Sequence, residues 1–215
     1  MIINKIANII IIIGLLLLFF IYSPVLLEEA DYQFKKNSYQ DMVIVDDHNK
    51  VEEVKMDVQI LYREKIIIPK SFDFSLVIPK IGVNSQVFPN IDSGDELEYL
   101  PVLKQGVAHA KNSSLPDESG VTYIFAHSTD SFYNITHYNA AFYLLNKLEK
   151  NDEILVFYKN KKYTYQVESK KEVEPETIAE ELLALKGDYL VLQTCWPPGT
   201  TLKRLLVISV PKSKI

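Results

Sequence analysis

The 215 residues contain one cysteine, Cys195, in the stretch TCWPPGTTLKR from Thr194 to Arg204, which also holds the one tryptophan, Trp196. A thiol attacks only as thiolate, and a nearby cation or imidazolium favours that form. Arg204 follows Cys195 at the start of the apolar run Leu205-Leu206-Val207-Ile208. If the segments on either side of WPPGTTLK are neighbouring strands, the guanidinium can face the thiol, or an oxyanion formed beside it. Proton transfer would need a histidine at a strand end, and His127, closing VTYIFAH, is the candidate. Singly, each residue has a plainer role. A lone cysteine is more often a small buried hydrophobe, an arginine a surface residue, a histidine a structural one. The combination carries the chemistry.

Bulk properties remove other classes. The net charge is −5, from 28 acidic and 23 basic residues, without the basic face of a nucleic-acid binder. One cysteine forms no intramolecular disulfide. No Cys/His cluster has zinc spacing, and His48, His109, His127 and His137 are scattered. His109 is expected to be structural, and His48 and His137 solvated. No cofactor is expected. The acidic stretch DSGDE at 92–96 could contribute to a calcium site, but Ca²⁺ takes about 6–8 oxygen ligands, and charge runs are ordinarily solvated.

Between Ile6 and Leu27 there is no charged residue. At about 1.5 Å per residue in a helix, that run is long enough for a bilayer core of about 30 Å. Lys5 precedes it, and Glu28, Glu29 and Asp31 follow. The positive-inside rule then puts the amino terminus in the cytoplasm and the bulk of the chain outside, as a single-pass membrane protein. A cleaved signal peptide ending near Ala30 is the competitor, but its apolar region usually runs only about 7–15 residues.

Residues 28–71 are charged and uneven and are expected to be a stalk, with a strand suggested by the alternation in VKMDVQILY. From 72 onward short β-rich runs dominate: FSLVIPKIGV, GVTYIFAH, EILVFYKNKKYTYQVE as a hairpin turning near Asn160, DYLVLQT and RLLVISV. Such runs separated by turn residues predict a sandwich or barrel. Two helices are expected among them. One is YNAAFYLLNKL, with Tyr138, Ala141, Leu145 and Leu148 on a stripe. The other is PETIAEELLALKG, bounded by Pro175 and Gly187. The expected organisation is an anchor at 1–27, an extracellular stalk at 28–71 and a catalytic domain at 72–215.

The catalytic part resembles the sortases, membrane-anchored cysteine transpeptidases of bacterial surfaces. LVIPKIGVNSQVF is similar to the family's opening strand. LKQGVAHAKNSSLPDESGVTYIFAHS is similar to its stretch ending on the catalytic histidine, here His127. LVLQTC is similar to its T-L-x-T-C signature, with Cys195 as nucleophile, and the family's arginine falls on Arg204. The chain departs from the pattern at Val191, where the signature begins with threonine, at Ala126, where a glycine precedes the histidine, and in the Pro116–Gly120 turn. No D-P-W or D-P-F lid motif occurs in 28–71.

The resemblance implies a mainly β fold, a closed eight-stranded barrel with short helices. It implies a substrate carrying a carboxyl-terminal signal such as L-P-x-T-G, cut between Thr and Gly. The acyl group then passes to an amine of a cell-wall precursor or of another protein. The resemblance places Ala126, Thr194 and Trp196 near the substrate. For Thr194 ordinary strand propensity is an equal alternative, and for Trp196 a place in the core. A hydrolytic cysteine peptidase and an inactive, membrane-anchored peptide-binding β-domain are the rival functions.

Overall fold

The computed structural model describes residues 5, 8–19, 23, 29–30, 32–34, 43–45, 66–127 and 141–212. Eight strands form a closed barrel: β3 (Phe74–Ile78), β4 (Val83–Ile91), β5 (Val107–Ala110), β6 (Val121–Phe125), β7 (Glu153–Tyr158), β8 (Lys161–Val173), β9 (Tyr189–Trp196) and β10 (Lys203–Pro211). Their order around the barrel is β10-β8-β7-β3-β4-β5-β6-β9, and β10 pairs with β9 to close it. A short parallel pair, β1 (Val43–Ile44) and β2 (Ile66–Ile67), lies apart from the barrel sheet.

Strand alternation explains the sequence pattern. On β9, Leu190 and Leu192 point into the central core with Ile124, Leu205 and Val207. Val191 points outward to a second cluster with Tyr123, Phe125 and Leu206. Both faces are covered, so the strand reads as a nearly continuous apolar run rather than an alternating one. The outer cluster lies under α1 (Glu96–Leu103) and α2 (Ile178–Ala184), through Tyr99, Val102, Ile178 and Leu182. The β7–β8 hairpin turns on Lys159 and Asn160, with φ of 50° and 59°. Positive φ at both central residues marks the two-residue turn whose twist matches the strands.

Both helical expectations change, and one helix is new. Within the described part of 138–148 there is a turn and a 3₁₀ helix, Leu145–Lys147. The fully buried residues are Phe142, Leu145 and Leu148, a spacing of three that suits 3₁₀ rather than α geometry. The helix predicted from Pro175 splits into a 3₁₀ turn, Pro175–Thr177, and α2, which stops when Leu185 turns extended. α1 was not expected. Asp95 caps it, accepting from the Leu97 N–H at 2.9 Å, but Pro101 inside it disguises the pattern. The strand suggested at 54–62, and Tyr138, lie outside the described residues.

Parts of the region before 72 rest on the barrel. Ile44, Val45 and Ile66 to Ile68 pack against Phe72, Val77, Leu155 and Phe157. Tyr32 is buried in the central core cluster, the Lys147 ammonium lies 5.7 Å from its ring centroid, and Glu29 pairs with Lys147 at 2.8 Å. Residues 8–19 are helical, with Ile9 55% and Phe19 66% exposed. Among the described residues no helix is long and apolar enough to cross a membrane.

Removing the Tyr32 ring should therefore weaken the barrel. Tyr32→Ala is expected to cost ~3 kcal/mol, as deletion of a buried aromatic does. Phe34→Ala, at a residue 87% exposed, should stay within about 0.5 kcal/mol of the parent. Urea denaturation of the two variants checks the difference.

Candidate active site

Cys195 is on β9, and its Cα partner on β10 is Arg204. Residues directly opposite in an antiparallel pair project from the same face with Cβ atoms about 4.5–5.5 Å apart. On the other side β9 runs parallel to β6, with Phe125 opposite Gln193. The Ala126 N–H donates to the Gln193 carbonyl at 3.1 Å, carrying the pairing one residue beyond β6. His127 follows immediately, two residues beyond the last paired residue of β6. Cys195 and Arg204 therefore share the outer face of two paired strands, and His127 lies on the segment that leaves the strand on the other side of β9. His127, Cys195 and Arg204 are all half-buried.

Thr194, Ala126 and Trp196 fall on the other alternation. Thr194 is 1% exposed and its hydroxyl donates to the Ala126 carbonyl at 3.1 Å. Ala126 belongs to the central core, and Trp196 packs against it. Their positions fit supports behind the site, with Thr194 tying the His127-bearing segment to β9. Neighbours of a residue on the outer face point inward, which is the side these three side chains take.

The Arg204 guanidinium is held by its own loop. Nη1 donates to the carbonyls of Thr201 at 3.0 Å and Lys203 at 3.1 Å. That fixes the plane and leaves donors on the rest of the fork. Two effects oppose each other at Cys195. Burial pushes the thiol pKa up, and the Arg204 charge pulls it down by less, so the net shift is upward. The cation alone therefore does not make a ready thiolate.

A cavity of about 480 Å³ is lined by Arg204, Gln193, Tyr123 and Lys111 and walled by Ile178 and Leu182 of α2. On its floor the Tyr123 hydroxyl donates to Gln193 Oε1 at 2.5 Å. Sequence reasoning passed over both residues. The available signal was one carboxamide in an otherwise apolar strand, LVLQTC.

His109 is accounted for structurally. Nδ1 accepts from the Asn90 N–H at 3.3 Å, so Nε2 carries the proton and donates to the Ser114 carbonyl at 3.1 Å. Burial lowers its pKa and keeps the ring neutral. The acidic stretch at 92–96 is largely spent on local bonds. Asp92 accepts from the Gly94 N–H at 3.0 Å and Asp95 caps α1. Among the described residues no three acidic, histidine or cysteine side chains are grouped to hold a metal. His48 and His137 lie outside the described residues.

The family model described as a sortase domain matches residues 76–212, from the first barrel strand to the last. The chain belongs to the sortase family. Sortase D of Bacillus subtilis (strain 168) is 27% identical over 135 residues, which are 61% of this chain and 60% of that relative. This sortase thus spans less than two thirds of the curated relative's length. The Group B Streptococcus Pilus Island 1 sortase C2 has a TM-score of 0.55 at 26% identity, covering 65% of this chain and 73% of that one. Sortase C-1 of Actinomyces oris, at 23% identity and TM-score 0.56 over 87% of this chain and 98% of that one, shares the fold.

The raised thiol pKa sets a measurable profile. Alkylation needs thiolate, so the rate of Cys195 modification by iodoacetamide should keep climbing with pH past the ordinary thiol range before it levels. Arg204→Gln removes the lowering charge, so its profile should move to still higher pH. A plateau near neutrality in the parent would contradict the dominance of burial.

Proposed function

We propose that this sortase is a cysteine transpeptidase, anchored in the cell membrane by its amino-terminal apolar run, with its barrel outside. It acts on surface proteins that carry a carboxyl-terminal sorting signal of the L-P-x-T-G kind. The observation that supports the reading is Arg204 directly opposite Cys195 on β10, with His127 two residues beyond the last β6 residue paired to β9.

The chemistry follows from that placement. The thiol is mostly protonated, so attack begins when its proton leaves, and His127 on the adjacent segment is the acceptor. The Cys195 sulfur adds to the carbonyl carbon of the threonine in the Thr–Gly bond. Negative charge develops on that oxygen, and the free donors of the Arg204 fork stabilise it. The tetrahedral adduct collapses as His127 gives its proton to the departing glycine nitrogen. A thioester to Cys195 remains, and the glycine-bearing fragment leaves. An amine of a cell-wall precursor or of another protein then attacks the thioester, His127 removes its proton, and Cys195 is released with a new amide bond. No step requires a metal or an organic cofactor.

The anchor rests on the uncharged run from Ile6 to Leu27 and on the charges that flank it. Calcium has no role in this reading.

Mass spectrometry of the chain incubated with an L-P-x-T-G peptide should show an adduct of the acyl half on Cys195, absent in Cys195→Ala. An added amine should convert the adduct to a ligated peptide faster than water hydrolyses it. Hydrolysis as the main fate would favour a peptidase. A reactive Cys195 with no adduct from any sorting peptide would favour a binding domain. Arg204→Lys keeps the charge but loses the planar fork, and should slow acylation by about 10²–10³. On fractionation the full chain should remain with membranes, and a soluble form beginning near Ala30 would overturn the anchor.

A further inference from the structure

We propose that the end of the barrel that carries Cys195 rests on the outer headgroup layer of the membrane, held there by the docking of Tyr32. The surface is the connection that runs from His127 to β7, and its partner is a layer of phospholipid headgroups. The inference rests on the anchor reading and deepens it.

The chain leaves little room for a spacer. The uncharged run ends at Leu27. Glu29 is two residues on, at most about 7 Å away even along a fully extended chain. Each polar layer of a bilayer is roughly 5–8 Å thick, so Glu29 lies at or near the headgroups. Its carboxylate already holds the barrel, accepting from the Lys147 ammonium at 2.8 Å. Tyr32 comes three residues later, at most about 11 Å further, and it is 7% exposed within the central core cluster. The barrel is thus seated within a few residues of the bilayer.

The docked end is the one that carries the thiol. β9 runs parallel to β6, with Phe125 opposite Gln193, so Cys195 lies at the end where β6 stops. The chain returns from that end to the start of β7 at Glu153. Phe142, Leu145 and Leu148 of this return are fully buried in the core cluster that Tyr32 joins and Trp196 packs against. The opposite end carries the β7–β8 turn at Lys159 and Asn160, roughly 17 Å away along β7. The charges of the docked end suit a phosphate-bearing surface. Lys147 pairs with Glu29, Lys80 pairs with Glu149 at 2.6 Å and Asp152 at 2.8 Å, and Lys170 donates to the Asn146 carbonyl at 2.6 Å. With the exposed Lys150, these four lysines stand against three carboxylates. The headgroups therefore meet a small positive excess rather than a repelling acidic face.

The test uses the full chain in phospholipid vesicles. Cys195→Ala clears the native thiol, and Lys150→Cys or Lys161→Cys then places one fluorescent label at the docked or the opposite end. The quencher is a nitroxide carried on the lipid headgroup, which acts only at short range. The label at position 150 should be quenched several-fold more than the label at position 161. Tyr32→Ala should shrink that difference. Because Tyr32→Ala also weakens the barrel, a second variant inserts about eight Gly/Ser residues after Leu27. A flexible insert of that length reaches ~15 Å, leaves Tyr32 docked, and should bring quenching at position 150 down to the level at 161. If both labels are quenched alike in a chain that stays in the vesicles, or if the insert changes nothing, the inference fails and the anchor stands. If the chain does not stay in the vesicles, the anchor reading fails and takes the inference with it.

Discussion

The register of β10 against β9 is the constraint on which the site depends. The ladder runs from Lys203 opposite Trp196 to Ser209 opposite Leu190. Because side chains alternate with a period of two, a slip of one residue would turn the Arg204 guanidinium toward the core and leave Cys195 facing the wrong neighbour. The register is pinned by apolar residues rather than by Cys195 and Arg204. Leu205 and Val207 fill the central core, and Leu206 fills the outer cluster beneath the helices. Shifting them would expose one set and bury a charge. Hydrophobic packing thus sets the distance between thiol and cation, and the chemistry inherits it.

That inheritance has an electrostatic cost. Walls that exclude water sharpen every interaction with a developing oxyanion, but the same walls disfavour the thiolate more than Arg204 favours it. The arrangement therefore favours the thiol over the thiolate at Cys195. It also gives the guanidinium a division of labour. One nitrogen is anchored to the carbonyls of Thr201 and Lys203, so the fork is oriented before any substrate arrives.

What was legible in the sequence tracks how local the signal is. The hairpin at Asn160, the strand carrying His127 and the strands flanking WPPGTTLK follow from short apolar runs and turn residues, and the barrel contains them all. The likeness in LVLQTC and in the stretch ending at His127 led to the family that residues 76–212 match. Less legible was anything that depends on which face a residue takes in three dimensions. Thr194 and Ala126 adjoin catalytic positions in sequence and so invite a substrate-side role, yet adjacency along a strand means opposite faces. α1 was hidden by Pro101, and the period of three at Phe142, Leu145 and Leu148 resembles an α-helical stripe until the turn geometry is seen. Tyr32 gave no signal, because a lone aromatic in a polar stretch does not announce where it docks.

The two faces of β9 also divide the tolerance of substitution. Leu190, Leu192 and Thr194 answer to the barrel interior, where altering a methyl group disturbs many neighbours at once. Gln193 faces the cavity, and Cys195 shares its face of the strand. A single strand thus carries two sets of demands, interleaved residue by residue, and a substitution on one face leaves the packing of the other in place.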